Sequence, residues 1–190
     1  MTVKDLMKAN RSYRRFIQDE PVERKVLEEL IKLARLSPSG QNIQPLKFFL
    51  SCRPDTNAMI FKHIGWAGYL KDWPGPDDGE RPSGYILILG DTSISPFFGC
   101  DHGIAAQSIR LGAIEVGLGS CIIASINRKE LADLLQIPAN LEILLAIAIG
   151  RPRETVVIDP VGPDGDIKYW RDTAHIHHVP KRSLAEIIVS

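Results

Sequence analysis

The stretch Asp101-His102-Gly103-Ile104-Ala105-Ala106-Gln107-Ser108-Ile109-Arg110-Leu111-Gly112-Ala113-Ile114-Glu115-Val116-Gly117 decides how this chain is read. Its apolar residues leave few polar positions on any face of a helix wound through it. A helix apolar nearly all round is covered on both sides, in a core or against another chain. The small residues Ala105, Ala106, Gly112 and Ala113 let a neighbour come close, and Asp101 suits the positive end of the helix dipole. Gly117-Leu118-Gly119 ends the helix, and Ser120 to Ile126 reads as a short buried strand or loop.

Working outward, Asn127 with Glu130 three positions on reads as the cap of a further helix. Leu141 to Ile149 is a continuous apolar run stopped by Gly150 and Pro152, the pattern of a strand covered on both faces. Asp159 to Pro180, rich in Gly, Asp and His, is expected to form an extended arm, before a last apolar segment from Leu184 to Val189. On the other side, Leu46 to Leu50 and Tyr85 to Leu89 read as strands, the latter ended by Gly90. His63 to Leu70 is expected as a short helix. Lys71 to Gly84 holds Pro74, Gly75, Pro76, Gly79 and Pro82, an irregular loop of a length that is often functional. Thr2 to Ala9 reads as a helix with Thr2 and Asp5 as a capping pair. A second helix has Pro21 near its first position and Val22, Val26, Leu27, Leu30, Ile31 and Ala34 on its apolar face. Without repeats or a linker, residues 1–190 are expected to be a single mixed helix and strand domain.

Lysine plus arginine number 23 and aspartate plus glutamate 23, so the formal net charge is zero. That balance argues against a nucleic-acid partner and removes any overall pull toward an anionic membrane. Hydrophobic residues at 44% and charged residues at 24% are ordinary globular usage, which argues against extended disorder. Cys52, Cys100 and Cys121 are an odd set without a CxxC pair, so no disulfide framework is expected. The longest wholly apolar run, Ile143 to Ile149, is far short of a bilayer span, and Met1 to Arg15 is too charged for a secretory leader. These features together point to a soluble protein of a reducing cytoplasm.

Chemistry-bearing residues fall in two loops. Arg11, Arg14 and Arg15 crowd beside Ser12, and guanidinium forks with a hydroxyl are what a phosphate needs from several directions. Spacing alone somewhat favours a solvated basic face between two helices. Ser37-Pro38-Ser39-Gly40-Gln41-Asn42-Ile43-Gln44-Pro45 collects amides, hydroxyls and a glycine, suited to a polar heterocycle or to a turn that satisfies its own backbone. Cys100-Asp101-His102 enters a helix, where neighbours rarely converge on a metal, and His175, His177 and His178 lack a second ligand set. No metal site is expected. No dinucleotide fingerprint, P-loop or GxSxG is present. Anion-binding and heterocycle-binding loops without a nucleophile or base suggest an enzyme whose cofactor carries the chemistry.

In order along the chain, these segments resemble the flavin-dependent nitroreductase family. Arg11-Ser12-Tyr13-Arg14-Arg15-Phe16 is similar to its N-terminal RSxRxF signature, and Ser37 to Pro45 to its PSxxNxQP motif. Asp101 to Gln107 through Gly117-Leu118-Gly119-Ser120-Cys121 resembles its central helix and GLG turn. Leu144 to Gly150 resembles the strand after it, and Pro180 to Glu186 the basic C-terminal segment. The resemblance implies an α+β fold, with a central, mostly antiparallel sheet flanked by helices, and a homodimer with an exchanged C-terminal arm. It implies that Arg11, Ser12 and Arg14 hold FMN, with Arg14 near the flavin N1. Pro38, Ser39, Gly40 and Asn42 would reach the flavin from the partner subunit. Ile123, Ala124 and Ser125 would pass beside N5, and Lys181 and Arg182 would close on the phosphate. Asn10 stands where many members carry a further arginine.

The activity implied is ping-pong hydride transfer from NAD(P)H through flavin N5 to a nitroaromatic, quinone or similar small acceptor. Trp66, Tyr69 and Trp73 are candidates to roof the open flavin face, or else ordinary core residues. The same scaffold is also compatible with reductive dehalogenation, with flavin breakdown, or with non-enzymatic flavin binding.

Overall fold

The computed structural model describes residues 1–189, and in it the apolar runs assemble into one antiparallel sheet. Its strands are β1 (Phe16–Ile17), β2 (Leu46–Ser51), β3 (Gly84–Asp91), β4 (Gly119–Ile123) and β5 (Leu141–Pro152). β5 is the spine. One edge of it pairs with β3, which in turn pairs with β2, while the other edge carries β4 and then β1. Every residue of β3 is buried, because both sheet faces are covered. Tyr85, Leu87 and Leu89 face a core with Phe16, Ile60 and Leu131, while Ile86 and Ile88 face one with Leu27, Ile109 and Ile147. The α+β architecture expected from the sequence is therefore the one observed.

Helices cover the sheet: α1 (Val3–Ala9), α2 (Arg24–Leu36), α3 (Pro54–Lys62), α4 (Asp101–Glu115) and α5 (Arg128–Leu134). The Thr2–Asp5 capping box forms as read. α4 is the expected apolar helix and packs on α2, which comes so close that a Cβ on Gly112 would lie 2.3 Å from Leu33 Cδ1. A Cβ there would require the Leu33 side chain to shift.

Three expectations need correction. The second helix begins at Arg24, not at Pro21, because Val22 is buried in an extended lead-in that packs on Gly84. The short helix lies over α3, upstream of His63 to Leu70, with Pro54 in its first turn. His63 to Leu70 instead forms turns and one bridge, Ile64 to Ile126, with the Gly65 N–H donating to the Ser125 carbonyl at 2.8 Å. Gly90 does not end β3, which runs on to Asp91. The Phe98 ring lies against Gly90, where a Cβ would meet it at 2.4 Å.

The tail is also not a free arm. β6 (Val156–Pro160), β7 (Trp170–Arg171) and β8 (His177–Lys181) form a second small sheet, with β6 and β8 parallel and β7 antiparallel to β8. This sheet packs beside the N-terminal arginines of its own chain. After it comes α6 (Leu184–Ile187), with Leu184, Ile187, Ile188 and Val189 exposed. No described helix is long and apolar enough to cross a membrane.

Candidate functional site

The segment from Asn10 to Phe16 is held from behind, so that its side chains project forward. Ser12 bridges to Ser120 at the start of β4, the Tyr13 N–H donates to the Ser120 carbonyl at 3.1 Å, and Phe16 is fully buried. The Glu154 carboxylate, wholly buried, accepts the backbone N–H groups of Arg14 and Arg15 and the Arg171 guanidinium at 3.1 Å. Arg15 turns away into a two-pronged pair with Glu80. That pairing raises the guanidinium above its ordinary value and lowers the carboxyl. Arg15 is thus part of the frame.

In front of this frame lies a cavity of about 260 Å³ lined by Asn10, Arg11, Ser12, Arg14, Arg110, Tyr169, Val179 and Lys181. Four cations face it and no carboxylate does. Burial pulls Arg110 below its ordinary value; Cys121 opposes that shift, and the neighbouring Arg11 and Arg14 add to it. Arg110 Nε donates to Ser120 Oγ at 3.2 Å, Arg11 donates from NH2 to the Met7 carbonyl at 2.8 Å, and Arg11 Nε is buried without a partner among the described residues. The Arg14 guanidinium lies over the Tyr169 ring, 4.6 Å from its centroid, with NH1 3.0 Å from His177 Nε2. His177 is fully buried, and burial followed by the charges of Arg14 and Arg171 pushes it down to about 4. Its imidazole is therefore neutral at pH 7 and accepts from Arg14 at Nε2.

The structure brings Arg11, Ser12, Arg14 and Lys181 to one cavity. Arg182 is not there; it pairs with Glu186 at 3.2 Å. The second loop lies elsewhere. Ser39 Oγ and the Gly40 N–H donate to the Asp101 carboxylate at 2.6 and 3.0 Å, so the first turn of α4 holds the loop. Pro38 and Ser39 line a separate cavity of about 290 Å³ with Gln44, Phe48, Asp101 and Ala105, while Gly40 and Asn42 are exposed at its edge in sequence. Asp101 and Arg110 stand about 14 Å apart along α4, at 1.5 Å per residue. The two cavities share no lining residue. Ile123 is buried at the end of β4, and Ala124 and Ser125 are exposed just beyond it, their carbonyls taken by Arg128 and Gly65.

The aromatic candidates do gather. Trp66 and Trp73 meet edge-on at 6.5 Å, Arg171 sits over Trp73 at 4.2 Å, and Tyr69 packs on Tyr169 at 5.0 Å. Through Tyr169 and Arg171 this cluster borders Arg14. Sequence reasoning missed Arg110, Tyr169, His177 and Glu154. Arg110 alone left a signal, as the one cation within an otherwise apolar helix. Among the described residues no group of His, Cys, Asp and Glu is placed to hold a metal.

A cationic, carboxylate-free cavity thus lies between the N-terminal segment and the small C-terminal sheet of this α+β fold. Residues 7–72 and 85–151 match the model of the Nitroreductase family, and the chain belongs to that family of oxidoreductases. It is 26% identical over 168 aligned positions to an iodotyrosine deiodinase of Thermotoga neapolitana, covering 78% of this chain and 87% of that protein. The solved structure of an FMN-dependent nitroreductase from Clostridium difficile R20291 superposes with a TM-score of 0.63 at 26% identity, covering 78% of this chain and 87% of the other. A nitroreductase family protein from Streptococcus pneumoniae TIGR4 gives a TM-score of 0.70 at 19% identity over 86% and 96% of the two chains.

Proposed function

We propose that this chain is an FMN-dependent oxidoreductase that uses NAD(P)H, and that residues 1–190 form one cofactor-binding unit of a homodimer. The observation that carries the reading is the convergence of Arg11, Arg14, Arg110 and Lys181 on a cavity without a carboxylate. A dianionic phosphate fits that donor set, and the unpartnered Arg11 Nε offers it a further hydrogen bond. When bound, the flavin supplies ping-pong hydride chemistry at N5, from NAD(P)H to a nitroaromatic, quinone or similar small acceptor.

The chain's own residues bind and orient. Ser12 and the guanidinium groups take the phosphate and ribityl side, and Arg14 offers positive charge toward the flavin N1. Neutral His177 and Tyr169 fix the Arg14 side chain, so little of its motion remains to be lost on binding. Pro38 and Ser39 line a different cavity of the same chain, with Gly40 and Asn42 exposed in the same loop, so in our reading this loop completes the site of a second copy. The apolar face of α2 and α4, with Leu33 and Leu36 exposed, is the surface proposed to meet that copy. Exchange of the arm is proposed only for the end after Lys181, with Arg182 available to the partner's phosphate. Three free cysteines accord with a cytoplasmic setting.

Because recognition rests on the phosphate, apoprotein titrated by flavin fluorescence is expected to bind FMN at least about 100-fold more tightly than riboflavin, two charge-assisted contacts at about 1.5–3 kcal/mol each. Equal affinities would contradict the assignment. A second reading, reductive dehalogenation of a small aryl halide, is favoured by the identity with the Thermotoga neapolitana deiodinase. An anaerobic acceptor screen separates the two, since release of halide from an aryl iodide belongs to the second alone.

A further inference from the structure

A third cavity, of about 160 Å³, lies between α3 and the start of β3 and shares no lining residue with the other two. Three polar atoms from its wall are buried without a partner among the described residues: Tyr85 Oη, Ser83 Oγ and Arg81 Nε. Tyr85 is fully buried and Ser83 is 9% exposed. Asn57, also in the wall, is already committed. Its Oδ1 accepts from Ser51 Oγ at 2.6 Å, and its Nδ2 donates to the Ser83 carbonyl at 2.8 Å.

The unmet groups have one chemistry in common. Each is able to donate, and Arg81 is only able to donate. Buried polar atoms without partners are rare because they are costly, and each calls for a water, an ion or a ligand group to satisfy it. Arg81 spans from solvent to the cavity: its side chain is 39% exposed, its guanidinium lies 4.6 Å over the Phe61 ring, and its NH1 is 3.6 Å from exposed Asp78. No carboxylate lines the cavity, and much of the remaining wall is apolar, from Pro21, Pro54, Ala58, Phe61 and Pro82.

We infer that this cavity binds a small organic carboxylate, whose oxygens accept from Arg81 Nε, Ser83 and Tyr85 and whose apolar body lies on Phe61 and the prolines. It is a site separate from the flavin site and does not depend on the flavin assignment. Half-buried Cys52 stands in the same wall and reports on occupancy.

The test follows cysteine alkylation, peptide by peptide, in the full chain with FMN added, as cyclohexanecarboxylate is titrated. Saturable slowing at Cys52 is expected, with exposed Cys100 unchanged and the flavin absorbance unmoved. The neutral cyclohexanecarboxamide is expected to bind at least about tenfold more weakly, and Arg81→Met to remove the protection. Absence of saturable slowing, equal protection by acid and amide, protection that survives Arg81→Met, or protection that tracks flavin displacement would each overturn the proposal. Should Arg81→Met fail to fold, the comparison of acid with amide on the wild-type chain decides.

Discussion

Arg14 is the residue on which the proposed site turns. Its backbone is fixed by Glu154, its guanidinium by Tyr169 and His177, and its charge faces the cavity. Loss of one charge-assisted contact is worth about 1.5–3 kcal/mol, so Arg14→Ala is expected to weaken FMN binding by about 10- to 100-fold. A fluorescence titration that found unchanged affinity would remove Arg14 from the site. Glu154 acts differently. It is a buried carboxylate with three donors, and Glu154→Ala strands the Arg171 charge and two N–H groups. A stability loss of about 3–5 kcal/mol is expected in urea denaturation. At this scale the sequence told half of the story. Arg11, Ser12 and Arg14 stand in one short run whose residue types announce anion chemistry. Glu154 and His177 join them from 140 and 163 positions away, a separation that no local pattern reveals.

At the scale of elements, α4 and β5 were legible because a run apolar on every face has few places to go. The boundaries that failed were set by tertiary contact: Val22 drawn into the core ahead of α2, and Phe98 laid on Gly90 in β3. The order of the tail is hard to see in the sequence because its strands are short, β7 having two residues, and side chains tie them together. His178 stacks on Trp170 at 4.7 Å and holds Asp159 at 2.8 Å and Asp172 at 3.4 Å, tying all three strands of the small sheet together. The bonds to these carboxylates raise His178 above its ordinary 6.5, so its contribution is full below that value and is lost as pH rises through the higher folded value. The protection factors of the β8 amides, with the intrinsic base catalysis of exchange divided out, are therefore expected to fall on going from mildly acidic to mildly alkaline pH, and His178→Ala to abolish that fall. Protection factors unchanged across the range would contradict it. His177 has the opposite sign. Depressed to about 4, it lowers global stability as pH falls from about 6.5 toward 4, where the unfolded chain holds a proton that the folded chain does not.

The whole molecule has no net charge, yet it concentrates four cations around one cavity and keeps the loop with Ser39 at the far end of α4. One chain thus carries two cavities that share no lining residue. Combined with the exposed apolar face of α2 and α4, this separation is the reason for proposing a dimer with two composite flavin sites. The central claim is that the assembled protein passes electrons from a nicotinamide to a small acceptor by way of FMN. Anaerobic rapid mixing of the FMN-loaded protein with NADH or NADPH tests it most directly, followed by addition of a quinone. The flavin absorbance near its visible maximum is expected to be lost in the first step and to return in the second. A chain that stays colourless after incubation with FMN, or whose bound flavin neither nicotinamide bleaches, would contradict it.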